Sequence, residues 1–113
     1  MIYIVSRHAG AVEWLLQKVS LPAVHLEHLQ NSEDIGLGDT VVGTLPINQV
    51  DAICQNGACY LHIDVDIPLE LRGKELSARQ LSQLGAMLTA YEVTKRGSDD
   101  VFLKMNDLLE REV

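Results

Sequence analysis

At 113 residues, with 47% hydrophobic and 22% charged side chains, the chain is sized for one globular domain with a real core and is too short for two. Its formal net charge of −7 argues against a binder of long nucleic acid, which needs many phosphate contacts on a basic face, but leaves room for a small anion held locally by a few Arg, His and backbone N–H groups. No apolar run approaches the ~18 residues of a membrane span, and the amino terminus lacks the basic, apolar and small-residue regions of a signal peptide, so a cytoplasmic protein is expected.

Ile2 to Val5 is a continuous apolar run rich in β-branched residues, the pattern of a central strand buried on both faces of a parallel sheet. It runs into a polar turn, Ser6-Arg7-His8 with Gly10. In an open α/β sheet, unpaired N–H groups gather where a strand's carboxyl end meets the next helix, and they favour an anion. A cationic Arg and a titratable His in that turn point to a phosphate ligand; simple solvation of a loop is the plainer reading of the same two residues. From Ala9 to Val19, Val12, Leu15, Leu16 and Val19 recur at helical spacing and predict the buried stripe of a first helix. Trp14 falls on the opposite side of that stripe, where it either meets a loop or second subunit or packs locally.

Ser20-Leu21-Pro22 breaks the helix. Ala23 to Leu29 alternates apolar and polar residues, as an edge strand exposed on one side would. His25 and His28, three apart, fall on opposite faces of that strand and cannot share a metal. Gln30 to Asp39, with Gly36 and Gly38, reads as a loop with a short helical turn. Thr40 to Gly43 is a second buried strand, and a helix begins at Pro46, with Thr44 its candidate N-cap. Ile47, Val50 and Cys54 form that helix's predicted stripe, and Asn56-Gly57 ends it. Cys54 and Cys59, with no second pair, make neither a zinc site nor, in a reducing compartment, a disulfide, and read as small core residues.

Cys59 to Pro68 alternates strictly, Leu61, Ile63, Val65 and Ile67 on one face, Tyr60, His62, Asp64 and Asp66 on the other. Asp64 and Asp66 are spaced as paired catalytic carboxylates or metal ligands, although a solvated strand face explains them more simply. Glu70 to Glu75 reads as a flexible basic loop able to fold over a ligand, with Arg72 and Lys74 as its cations. A long helix is predicted from Ser77 to about Lys95, its stripe Leu81, Leu84, Met87, Leu88 and Tyr91, stopped by Gly97. Ser98 caps a last amphipathic helix to about Arg111, which packs on the domain or completes a dimer interface.

Alternating strands and helices predict an α/β Rossmann-like sandwich of about four mainly parallel strands with helices on both faces, a domain over residues 1–97 followed by the helix of 98–113. The short link between the second and third strands leaves room for an antiparallel second or fourth strand. In this layout Ser6-Arg7-His8, Gly43-Thr44 and Arg72-Lys74 converge at one carboxyl edge, where ligands of such sheets bind. No GxGxxG or Walker sequence is present, which lowers the case for dinucleotide or ATP chemistry.

Four co-linear segments, Val5 to Leu15, Gly38 to Pro46, Tyr60 to Pro68 and Arg72 to Leu76, resemble those of a small family of CRISPR-associated accessory proteins of type III loci, the VVA-type of the Csx group, over residues 2 to about 94. Members are similar to the CARF-like nucleotide-sensing domains of type III systems. The resemblance implies a ring nuclease, a metal-independent phosphodiesterase that binds cyclic oligoadenylate, tetraadenylate above all, and opens it by attack of a ribose 2′-hydroxyl, leaving a 2′,3′-cyclic phosphate and ending the antiviral signal. On that reading no cofactor or metal is needed. Arg7 clamps the phosphate and His8 serves as general acid or donor at the leaving oxygen, as the catalytic pair. Ser6, Gly10, Gly43, Thr44, Leu45, Pro46 and Arg72 bind the ligand, Gly10 and Gly43 by letting backbone N–H groups approach phosphate. A pseudo-symmetric ring suits a homodimer with the site across its two-fold axis. Three alternatives stay open: a sponge or sensor that holds the ring uncut, an interaction protein docking through Trp14 and the last helix, and a metal-dependent phosphodiesterase using Asp64 and Asp66.

Overall fold

The computed structural model describes residues 1–97 and Lys104, so the predicted helix over 98–113, Lys104 apart, lies outside the described residues. Five strands form one sheet in the order β2-β1-β3-β4-β5: β1 (Ile2–Val5), β2 (Ala23–Leu26), β3 (Thr40–Gly43), β4 (Cys59–Asp64) and β5 (Met87–Tyr91). The first four are mutually parallel, with Val5 opposite Leu26 on one side and Gly43 on the other. β1 is central and β2 an edge, as their apolar run and alternation predict.

Helices cover both faces. On one, α1 (Ala9–Lys18) and α3 (Ala78–Gln83) bury Trp14, Leu15, Ala78 and Leu81 against Ile4, Val42 and Ile63. On the other, α2 (Ile47–Gln55) buries Val50 and Ile53 against Val5, Val41 and Tyr60. The alternation of β4 therefore separates two cores: Leu61 and Ile63 serve the first, Tyr60 the second. Full burial of the six largest of these side chains, Trp14 and Ile4 among them, is worth about 1.5–3 kcal/mol each for an aliphatic, and supplies the driving force for the sandwich.

Four expectations are corrected. The helix begun at Ser77 is short: Ser77 does form the capping box with Gln80, but the chain turns at Gly85, φ 80°, and Met87 to Tyr91 pairs antiparallel with β4. A left-handed glycine ends a helix at low cost, and the apolar residues at helical spacing beyond it belong to a strand. Second, Trp14 is buried, not exposed, because α3 lies beside α1 and widens the covered face; its indole N–H donates to Ser82 Oγ at 3.1 Å, while Leu16 of the predicted stripe faces out. Third, α2 turns Ile47 to solvent and buries Ile53 instead. Last, Cys54 is half-buried but Cys59 is exposed, so only the first is a core residue.

Among the described residues no helix is long and apolar enough to cross a membrane.

Candidate functional site

The chain leaves β1 through α1 to β2 on one side and then places β3 on the other side of β1. Such a reversal opens a crevice at the carboxyl ends of the two diverging strands. Here it is about 460 Å³, walled by Ser6, Arg7 and His8 after β1, Glu27, His28 and Leu29 after β2, and Thr44, Leu45 and Pro46 after β3. A second cavity of about 250 Å³ adjoins it and shares Ser6, His8 and Thr44. Six of the nine residues expected at the site are thus brought together: Ser6, Arg7, His8, Thr44, Leu45 and Pro46.

The turn after β1 is held rigidly. Ser6 N–H donates to Leu26 O at 3.0 Å, its carbonyl meets His25 Nε2 at 2.9 Å, and its hydroxyl accepts from His8 N–H at 3.1 Å. Ser6 is the buried polar residue of the domain, and its polar atoms shape the turn. Arg7 is exposed, lines the crevice and has no ion-pair partner among the described residues, so its charge there is unneutralised by them. Among the described residues no side chain caps α1 or α2. Both helices start at this edge with first-turn N–H groups that no described side chain satisfies, a setting that favours an anion. Thr44, expected to cap α2, instead lies exposed in the wall of both cavities.

His8 Nδ1 lies 2.8 Å from Glu75 Oε1. A carboxylate accepts, so Nδ1 carries the proton and Nε2 is the atom left for a ligand. The pair is largely exposed and adds little to stability; its effect is to fix the ring's orientation. Sequence reading missed Glu75, because the pairing joins two loops 67 residues apart and follows only from the strand order.

Three expected residues have other work. Arg72 is exposed, its Nε–H donating to Ile67 O at 3.1 Å, and it lies outside both cavities, where Lys74 and Glu75 stand instead. Gly10 gives up its Cβ to the Leu76 carbonyl, and Gly43 to the Val5 carbonyl. Both glycines therefore admit neighbouring backbone, not phosphate. The loop after β4 carries the Arg72 contact to Ile67 and the Glu75 contact to His8, and its Leu76 carbonyl packs against Gly10.

A polar network lies behind the β3–α2 turn. The Tyr60 hydroxyl accepts from Leu45 N–H at 2.9 Å, donates to Gly43 O at 3.1 Å and meets His62 Nδ1 at 2.7 Å. Burial pushes the Tyr60 phenol up, partly offset by the Leu45 N–H. Beyond it, Asp64 accepts from Tyr91 O–H at 2.8 Å; hydrogen bonds from Thr89 and then Tyr91 hold its carboxyl below the usual aspartate range, and the same bond raises Tyr91. Asp64 and Asp66 line neither cavity of the crevice. Among the described residues no group of three or more His, Cys, Asp or Glu is placed to hold a metal ion.

Residues 3–94 match the family described as "Putative CRISPR-associated protein (Cas_VVA1548)". The match spans most of the chain, and the protein belongs to that family. No curated protein and no solved structure matches it.

Proposed function

We propose that this CRISPR-associated family member binds cyclic oligoadenylate, with the tetraadenylate as the first ring to try, in the crevice over the ends of β1 and β3, and opens it without a metal. The observation that carries the proposal is the meeting of an unneutralised Arg7, a Glu75-oriented His8 and two uncapped helix starts around one open crevice.

The ligand brings its own nucleophile, so the protein has only to align, neutralise and assist proton transfer. The ribose 2′-oxygen attacks the adjacent phosphorus, the new P–O2′ bond forms, the P–O5′ bond breaks, and a 2′,3′-cyclic phosphate results. Arg7 neutralises the non-bridging oxygens. With Nδ1–H committed to Glu75, His8 acts through Nε2: protonated, it gives a proton to the leaving 5′-oxygen while water takes the 2′-hydroxyl proton; neutral, it takes the 2′-hydroxyl proton while water protonates the leaving oxygen. A pseudo-symmetric ring is matched by a two-fold dimer that places two crevices on it. A second reading, a module that sequesters or senses the ring uncut, draws on the exposure of the His8 side chain, 56%, in a site open to water.

The test is radiolabelled cyclic tetraadenylate incubated with protein in excess EDTA, beside His8→Ala and Arg7→Ala. Ring loss to a 2′,3′-cyclic phosphate product, slowed in both variants, supports ring opening. Retention of the intact ring, with His8→Ala binding as wild type does, makes the protein a sponge or sensor. Neither binding nor cleavage overturns the ligand assignment, and turnover that EDTA stops moves the chemistry to a metal.

A further inference from the structure

The two cavities that share Ser6, His8 and Thr44 differ in chemistry. The larger, with Arg7, Glu27 and His28 in its wall, is polar. The smaller is floored by Ile63, Val65 and Ile67 from the end of β4 and the segment after it, and walled by Ala11, Leu76 and Leu81. A phosphate entering it would shed water against aliphatic side chains with no compensating donor on that floor, at several kcal/mol. A flat heteroaromatic ring has apolar faces to bury and a polar edge that the few polar lining groups, Lys74 and Glu75 among them, can meet. The volume, about 250 Å³, is below that of a typical pocket for a whole drug-sized ligand and suits a fragment of one.

We infer that the smaller cavity is a nucleobase subsite, receiving the base of the nucleotide whose phosphate lies against Arg7, with His8 as the wall between base and phosphate. This rests on the nucleotide reading of the crevice and goes beyond it by separating the two binding functions onto different residues. Ala11, on the exposed-to-buried boundary of α1, and Ile67, beyond the last residue of β4, are the positions that alter the chamber with least cost to the sheet.

Equilibrium dialysis with adenosine 5′-monophosphate and ribose 5-phosphate separates the parts. The two probes share the phosphate and differ by the base. Wild type should bind the monophosphate at least about ten-fold more tightly, the gain from burying apolar area of the order of one small side chain. Ala11→Leu, which fills the chamber, and Ile67→Asp, which places a carboxylate in it, should each erase that preference while ribose 5-phosphate affinity stays within about two-fold, both variants melting as cooperatively as wild type. Arg7→Ala should weaken both probes alike. Equal binding of the two probes to wild type, with Arg7→Ala still weakening them, overturns the base subsite and leaves the phosphate crevice standing. Binding of neither probe overturns both. A monophosphate preference that survives Ala11→Leu and Ile67→Asp puts the base elsewhere.

Discussion

Replacing Tyr60 by Phe removes one oxygen from the network behind the β3–α2 turn and leaves the ring's packing in place. That oxygen has one proton and two lone pairs. Gly43 O can only accept and Leu45 N–H can only donate, so for all three contacts to hold together, His62 must donate through Nδ1. Tyr60→Phe therefore strands the Leu45 N–H at a half-buried residue and leaves His62 Nδ1–H without its partner. An unsatisfied buried donor costs about 1–3 kcal/mol. At roughly 4–8 °C per kcal/mol for a domain of this size, the melting midpoint should fall by about 10 °C. The loss should also be local: amide exchange at Leu45 should accelerate, and nitrogen shifts of His62 in wild type should report the Nδ1–H tautomer. A melting midpoint within about 1 °C of wild type with Leu45 exchange unchanged, or an Nε2–H tautomer at His62, would refute the assignment of Tyr60 as the clamp on the crevice wall.

Gly10→Ala should destabilise by about 1–3 kcal/mol, since the new methyl meets the Leu76 carbonyl and separates α1 from the loop that carries Glu75; a denaturation midpoint equal to that of wild type would show the approach to be unnecessary. Glu75→Leu should slow ring opening by about ten-fold or more in single turnover, because it frees the His8 ring without touching Arg7; a single-turnover rate equal to that of wild type would show that the pair does not orient His8 for the reaction. Asp39, held below the usual range first by the Gly36 N–H and then by the terminal amine 3.3 Å away, contributes stability that is present above the ordinary aspartate pKa and lost as the pH falls through its depressed folded value. Asp39→Asn should accordingly be less stable than wild type at neutral pH and converge with it in strong acid, and a gap that does not close on acidification would reject the linkage.

What the sequence made legible was local. The β-branched run of Ile2 to Val5, the alternation after Cys59 and the capping pattern at Ser77 each specify their element through a period or a hydrogen bond within a few residues. What it concealed depends on which elements become neighbours. Trp14 looks exposed on a lone helix and is buried because α3 arrives from 68 residues away. Leu84, Met87, Leu88 and Tyr91 keep a helical spacing across Gly85, so the periodicity misleads where one φ angle decides. At the site, Arg7 and His8 were readable from strand-turn-helix logic, and Lys74 from the expected convergence of loops at one sheet edge, whereas Glu75 and Glu27 enter only once the strand order is known. Gly10 and Gly43 were expected to bring backbone N–H groups to phosphate, and the group that each admits is instead the protein's own chain.

The loop after β4 bears on how the proposed ring would enter. With Arg72 on the Ile67 carbonyl and Glu75 on His8, the β4 side is occupied by the segment that lines the small chamber. Another approach is past residues 27–29, which follow the edge strand β2 and line the crevice. Glu27 stands there as a carboxylate on a protein of net charge −7. On the proposed reading an entering polyanion meets both Glu27 and Arg7 in the crevice wall, so long-range attraction contributes little and selection falls to fit at the turn after β1. On that reading a ring that sets a phosphate against Arg7 and a base beside it fits the site, whereas a flexible single strand brings more negative charge past Glu27 for each phosphate seated.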